Sequence, residues 1–140
     1  MNGAFAACDW TPIRYLARPV QRQVLAGFYR LADVGLVTPL RDGMNLVAKE
    51  YVAAQNPDDP GALVLSHLAG AAPELSEALL VNPHDADDIA DALHQALTMS
   101  REERKRRWNA LNLEIRNTTA GTWARDFLAM LHRSQKEGCA

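Results

Sequence analysis

Two hydrophobic patterns alternate along the chain. Short, mostly apolar runs without polar alternation occupy 34–38, 62–66 and 78–81. Such runs are typical of strands covered on both faces, and therefore of a parallel sheet between helices. Elsewhere, apolar residues recur every three or four positions, which predicts amphipathic helices. Strands that alternate with helices favour right-handed crossovers and a doubly wound α/β fold.

Sequence signals at the ends of the first two helices set their expected limits. A helix that begins at Val20 carries an apolar stripe over 24–32. A second helix begins near Asn45, a residue type suited to the N-cap, and runs to Ala54. The turn formers of 56–61 then end it.

Three further helices are expected in the second half of the chain. The helix over 85–99 has aspartates in its first turn, which suit the positive end of the helix dipole. Ser100 and Glu103 have the spacing of a capping box, which opens a charged helix to about residue 117. Gly121 is expected to break the chain before a last amphipathic helix.

The remaining segments have weaker patterns. Residues 1–19 read as an irregular lead-in, with a short strand as one option at 13–16. The small residues of 67–72 predict a flexible loop, and a short helix is one option over 73–76.

Composition and charge exclude several classes of protein. The 140 residues suit one domain, and 48% hydrophobic with 23% charged residues excludes general disorder. A formal net charge of -2 argues against nucleic-acid binding by bulk charge. No apolar stretch approaches the roughly 18 residues of a membrane span, and residues 1–10 do not resemble a secretory signal. We therefore expect a cytoplasmic protein that binds neither nucleic acid nor membrane.

Cysteine and histidine usage gives no sign of a metal centre. Cys8 and Cys139 are interpreted as reduced thiols, although a bridge between them is conceivable. The chain contains no CxxC and no HExxH, so no metal site is expected. His67 and His84 lie at strand ends, where a proton-transfer or phosphate-contact role stays open.

The candidate chemistry lies beyond the carboxyl ends of the strands, where open α/β sheets bind ligands. Residues 42–45, Asp-Gly-Met-Asn, form a tight polar turn that enters a helix. The backbone amides of Asn45, Leu46 and Val47 would be unpaired there, as in an anion site. Glu50, one turn further on, could accept hydrogen bonds from ribose hydroxyls. The alternative is an ordinary turn with Asn45 as a cap and Glu50 in solvent, because neither GxGxxG nor a Walker loop is present.

Several segments of the sequence resemble one known protein family, which reduces the number of candidate functions. Residues 34–52, VGLVTPLRDGMNLVAKEYV, resemble the donor-site motif of the trehalose-6-phosphate synthase family. Segments at 9–13, 65–72 and 78–83 resemble the same family in the same order, so the likeness extends from about Asn2 to about Leu131. The resemblance implies a retaining glycosyltransferase of the GT-B architecture, in which two Rossmann-like domains face each other.

The resemblance also implies a reaction and a set of donor-site residues. Glucose would pass from UDP-glucose to glucose-6-phosphate, with the leaving diphosphate taking the acceptor proton, so that neither a cofactor nor a metal is needed. Asp42 would contact hydroxyls of the transferred glucose, as the one catalytic side chain, and Glu50 would hold the ribose. Val20 would lie near the uracil. The stretch between the two acids would bind the sugar and the diphosphate: Gly43, Met44, Asn45, Leu46, Val47, Ala48 and Lys49.

Departures from the family qualify these expectations. Family members are several times longer, and their acceptor domain and the Arg and Lys that neutralise the diphosphate align before this sequence. We expect an irregular lead-in at 1–19, part of a nucleotide-sugar-binding Rossmann-like domain at 20–118 and a tail helix at 119–140. The chain would then be the C-terminal half of a donor domain, without turnover alone and prone to form oligomers.

Two alternatives stay open. The chain could be a non-catalytic remnant that docks on a full-length synthase, or part of a glucosylglycerol-phosphate synthase-like enzyme. ADP-glucose or GDP-glucose could also be the donor.

The basic run at 101–107 is interpreted as a solvated helix face. Trp123 and Phe127 are interpreted as core residues or as an interface with the further domain.

Overall fold

Three parallel strands form one sheet within residues 2–137, the part of the chain that the computed structural model describes. The strand order is β1–β2–β3, with Val34 opposite Ala62 and Val64 opposite Leu79. The elements in chain order are α1 (Asn2–Phe5), α2 (Arg22–Leu31), β1 (Val34–Val37), α3 (Leu46–Ala54), β2 (Ala62–Ser66), β3 (Leu79–Val81), α4 (Ala86–Thr98), α5 (Arg101–Asn117) and α6 (Ala120–Glu137).

The central strand β2 is covered on both faces, as its apolar run predicts. Leu63 and Leu65 join a cluster with residues of α3 and α5, whereas Ala62 and Val64 join a second cluster with residues of α4. Successive side chains of a strand point to opposite faces, so the two clusters lie on opposite sides of the sheet. The predicted doubly wound α/β layer is therefore confirmed.

Helix α3 is fixed against the sheet by Tyr51. Its hydroxyl donates a hydrogen bond to the backbone oxygen of Ala32 over 3.1 Å, and the side chain is almost fully buried. A methyl group at Gly35 would lie 2.8 Å from the Tyr51 ring, and one at Gly61 would lie 2.2 Å from its hydroxyl oxygen. The absence of side chains at both glycines thus makes room for this tyrosine.

The far end of α3 is held by the buried side chain of Gln55. Its amide nitrogen donates to the backbone oxygen of Tyr29, and its oxygen accepts from the Gly61 N–H over 2.8 Å. The indole of Trp108 on α5 also donates to the backbone oxygen of Val52 over 2.9 Å. One side chain therefore joins α2, α3 and the approach to β2, while α5 locks the same helix from another side.

Side chains cap the starts of α4 and α5, of which the sequence predicts the Ser100 cap of α5. The Asp85 carboxylate accepts hydrogen bonds from the backbone N–H groups of Asp87 and Asp88 at the start of α4. The Ser100 hydroxyl accepts from the Glu103 N–H at the start of α5. These bonds satisfy amides that have no acceptor within the helix.

Three local expectations are wrong. Helix α6 begins at Ala120 and contains Gly121, because Thr119 and Thr122 cap it by reciprocal bonds between hydroxyl and backbone N–H. Residues 13–16 form no strand, and the lead-in includes the short helix α1. Residues 73–76 form turns rather than a helix.

Apolar side chains remain exposed on α6. The rings of Trp123 and Phe127 stack with centroids 5.4 Å apart, and both side chains are about half exposed. The expectation that they are core residues is therefore wrong. The alternative, that they form an interface with a further domain, stays a prediction. Within residues 2–137, no helix is both long enough and apolar enough to cross a membrane.

Candidate functional site

The turn at residues 42–45 lies at the carboxyl edge of the sheet, as the sequence predicts. Beyond the strands, Asp42 pairs with Ala69 in a parallel bridge, and the Gly70 N–H donates to the Asp42 backbone oxygen over 3.1 Å. The loop after β1 is therefore joined to the loop after β2 just before α3 begins.

Asn45 fixes the conformation of this turn. Its backbone is left-handed, with φ of 55° and ψ of 76°. Its side-chain oxygen accepts from the Ala48 N–H over 3.0 Å, and its side-chain nitrogen donates to Oδ2 of Asp42 over 2.6 Å. Asparagine tolerates the left-handed region better than most residues because its short polar side chain bonds locally. The predicted N-cap is confirmed.

The first two amides of α3 are free. Among the described residues, the N–H groups of Leu46 and Val47 have no hydrogen-bond partner. Both residues are exposed, as are Asp42 and Gly43. Partial positive charge at a helix start together with unpaired donors makes this position suited to an anion.

Ala48 and Lys49 differ from their neighbours. Ala48 is fully buried, and the Asn45 cap already occupies its amide. The Lys49 ammonium is 2.6 Å from a carboxylate oxygen of Glu74. In the described structure Ala48 packs the helix onto the core, and Lys49 ties it to the loop after β2.

A cavity of about 540 Å³ opens beside the turn. It lies between the start of α3, the loop after β2 and the junction of α5 with α6. Its lining residues are Gly43, Met44, Leu46, Lys49, Gly70, Glu74, Thr118, Thr119, Ala120 and Trp123.

Glu50 lies at a second cavity, of about 220 Å³, between α2 and α3. Arg22 and Tyr29 line it as well, and Val20 is half-buried just before the Gln21 N-cap of α2. Burial and the nearby Glu50 carboxylate raise the pKa of the Tyr29 hydroxyl. Glu50 is thus an exposed acid whose charge acts on the α2–α3 groove, whereas Leu46, one turn earlier, lines the larger cavity.

Comparison with known proteins decides the family. Residues 1–133 match glycosyltransferase family 20. The chain belongs to glycosyltransferase family 20. It is 59% identical over 128 residues to a trehalose-6-phosphate synthase of Sinorhizobium fredii, a match that covers 91% of this chain and 28% of the relative. The chain therefore spans little more than a quarter of that protein's length.

Solved structures of family 20 proteins have the same fold. A UDP-forming trehalose-phosphate synthase from Burkholderia xenovorans in complex with glucose-6-phosphate matches with a TM-score of 0.87 and 53% identity. The match covers 94% of this chain and 29% of that one. An E. coli protein bound with UDP-2-fluoro glucose matches with a TM-score of 0.87 and 52% identity, over 93% of this chain and 29% of that one.

The basic run of this family 20 chain lies on an exposed face of α5, as the sequence interpretation expects, but several of its arginines also have hydrogen-bond partners. Arg101 donates to the backbone oxygen of Asp58, and Arg104 donates to the backbone oxygen of Pro60 and to the Asp59 carboxylate. These arginines bind α5 to the turn before β2. Their partners 40 or more positions away could not be read from local spacing.

Within the same run, Arg106 and Arg107 hold the carboxylate of Glu103. Hydrogen bonds from Arg106 and then Arg107 lower the pKa of Glu103 to about 2. Glu103 therefore has two contacts within α5: its carboxylate binds the two arginines, and its backbone N–H donates to the Ser100 hydroxyl that caps the helix.

The imidazole ring of His67 is bonded to the backbone through its Nδ1 atom. Its Nδ1 lies 2.9 Å from the Val81 oxygen, which also accepts the His67 N–H over 3.0 Å. Since a carbonyl only accepts, Nδ1 carries the hydrogen. His84 is exposed and its N–H is bonded to the Asn82 side chain. Cys8 is exposed and free, and Cys139 lies outside the described residues.

Proposed function

We propose that this chain forms the donor-binding part of a retaining glycosyltransferase that moves glucose from UDP-glucose to glucose-6-phosphate. The observation that carries the proposal is the pair of free amides of Leu46 and Val47, exposed at the sheet edge where α/β proteins bind ligands. The similar E. coli and Burkholderia proteins, whose bound molecules are a UDP-glucose analogue and glucose-6-phosphate, support the substrate classes.

In this proposal the turn binds the charged part of the donor. The amides of Leu46 and Val47 bind the diphosphate, and the backbone of Gly43, Met44 and Asn45 faces the sugar. Asp42 contacts hydroxyls of the transferred glucose. Negative charge grows on the departing diphosphate during transfer, so donors aimed there stabilise the transition state. A diphosphate oxygen takes the acceptor proton, and the reaction runs in the cytoplasm.

Glu50 binds the nucleoside end in the same proposal. Its exposed carboxylate lies at the α2–α3 groove, one helical turn behind the amides. A carboxylate accepts two hydrogen bonds from neighbouring ribose hydroxyls, which fixes the nucleoside relative to the diphosphate. Val20, before α2, is placed near the base. Because neither residue reads the base edge by itself, UDP, ADP and GDP are compared directly in the test.

Titration calorimetry with UDP tests the proposal on the 140-residue chain. We expect weak saturable binding that Glu50→Ala abolishes, and stronger binding of UDP than of ADP or GDP. Glu102→Ala is the matched control, because it removes an exposed helical carboxylate on α5 and should leave the titration unchanged. Absence of UDP binding by the unmodified chain at millimolar concentration would overturn the proposal, and unchanged binding by Glu50→Ala would overturn the ribose assignment.

A further inference from the structure

The loops after β1 and β2 re-pair with a changed register. In the strands, Val37 is opposite Leu65. Beyond them, Asp42 is opposite Ala69, so four residues on one side (38–41) face three on the other (66–68). One extra residue in one of two paired segments turns its chain, as in a β-bulge. The extra residue therefore re-aims the chain just before the turn at 42–45.

Immediately after this bridge, the two backbones approach more closely than side chains would allow. A Cβ atom at Gly70 would lie 1.5 Å from the Gly43 backbone oxygen and 2.7 Å from its carbon. Distances under 3.0 Å between such atoms require something to move, and here the obstructing atoms are backbone. Gly70 also donates its N–H to the Asp42 oxygen over 3.1 Å.

The turn at 42–45 is crowded on the side that faces Gly70 and open on the other side. A Cβ atom at Gly43 would have no atom within 4 Å, so the turn itself is open towards solvent. Gly70 has no left-handed backbone that would require glycine, so space is what its position demands. The loop after β2 thus packs against one side of the turn at Gly70, while the opposite side, where a Gly43 side chain would point, stays free for a ligand.

We propose that Gly70 is a positioning residue of the donor site: its bare backbone sets the height and direction of residues 42–47. This inference rests on the proposed function, because it states what the contact is for. A side chain at position 70 displaces the Gly43 carbonyl and with it the amides of Leu46 and Val47. Gly70 touches no reacting atom in this account and acts only through the turn.

Gly70→Ala tests the inference in two independent readouts. UDP affinity should fall about tenfold or more, because a displacement near 1 Å in a binding site is costly. Hydrogen exchange in peptides that cover 40–48 should accelerate, whereas exchange in β2 should be unchanged. Gly61→Ala is the matched control, since its methyl group would clash with Tyr51 and the Ala32 oxygen away from the turn. It should lower the thermal midpoint and leave UDP affinity of the folded fraction unchanged.

The outcomes separate this inference from the function on which it rests. If the unmodified chain does not bind UDP, the proposed function fails, and exchange in 40–48 alone decides whether Gly70 positions the turn. Unchanged exchange in 40–48, or unchanged UDP affinity in a Gly70→Ala chain where the unmodified chain binds, overturns the inference. If Gly70→Ala does not fold, UDP should slow exchange of the Gly70 amide in the unmodified chain, and an unaffected Gly70 amide would overturn it.

Discussion

The side-chain nitrogen of Asn45 donates to the Asp42 carboxylate over 2.6 Å, while the oxygen of the same amide caps α3 at Ala48. One asparagine thus connects the proposed sugar-binding acid to the helix that presents the free amides. Its left-handed backbone places both bonds within reach. The two functions of this side chain can be separated, because one uses the oxygen and the other uses the nitrogen.

Asn45→Asp keeps the cap and removes the donor to Asp42. A carboxylate at the helix start still accepts from Ala48 and suits the dipole, but it repels the neighbouring Asp42. Because position 45 directly precedes the free amides of Leu46 and Val47, the new negative charge also repels a diphosphate there, so we expect UDP binding to be lost with little change in the free energy of unfolding. Asn45→Ala is the comparison: it loses the cap and places alanine in the left-handed region, so unfolding should become easier by about 2 kcal/mol. Urea denaturation and UDP titration measure the two effects, and wild-type UDP affinity in Asn45→Asp would contradict this account.

The Tyr51 hydroxyl predicts an alkaline limit to stability. Burial raises the pKa of Tyr51 well above its ordinary value of 10. The unfolded chain therefore releases this proton at lower pH than the folded chain, so the stabilisation is complete below about pH 10 and is lost as the pH rises further. Tyr51→Phe should remove this part of the pH dependence. It should also lower stability at neutral pH by about 1–3 kcal/mol, because the Ala32 carbonyl loses its partner.

Urea unfolding from pH 8 to pH 11 checks the alkaline limit. Tyr15→Phe is the matched control, since Tyr15 is 88% exposed, and it should leave both the stability and its pH dependence unchanged. A pH dependence in Tyr51→Phe as steep as in the unmodified chain would refute the assignment.

The open edge of β1 predicts self-association. Among the described residues β1 pairs on one side only, with β2, and Leu36 on this edge strand is 46% exposed. Unpaired strand edges with apolar side chains favour pairing with other chains. We expect oligomers in sedimentation velocity, and Leu36→Lys should shift the distribution towards monomer. Leu113→Lys, at an exposed site on α5, should not. A sharp monomer peak for the unmodified chain at high concentration would count against this prediction.

Local pattern was sufficient where local physics decides the structure. The apolar run at 62–66 predicted a strand buried on both faces, and Asn45 and Ser100 cap their helices as predicted. The turn at 42–45 was found because its composition is unlike that of the other loops. Gly121 misled the prediction, since glycine signals a break only when no stronger cap, such as Thr119 with Thr122, lies beside it.

Long-range partners account for what the sequence did not predict. The Lys49–Glu74 pair joins residues 25 positions apart, and Arg104 reaches a turn more than 40 positions away. The role of Gly70 depends on the backbone of Gly43, which no periodicity reveals. The assignments of Asp42, Glu50 and Val20 came from a family resemblance and stay predictions, as do the domain limits at 19 and 118.

The clamp that Gln55 forms at the rear of α3 has a mechanical consequence. An anion that pulls on the front of the helix meets an element that can neither slide nor turn, because Gln55 ties its other end to two separate backbone segments. Little of the binding free energy is then used to rearrange the protein, so the affinity is set by the contacts between the helix start and the anion. The start of α3 lies about two and a half helical turns from that attachment, so the helix is already held in place before an anion arrives.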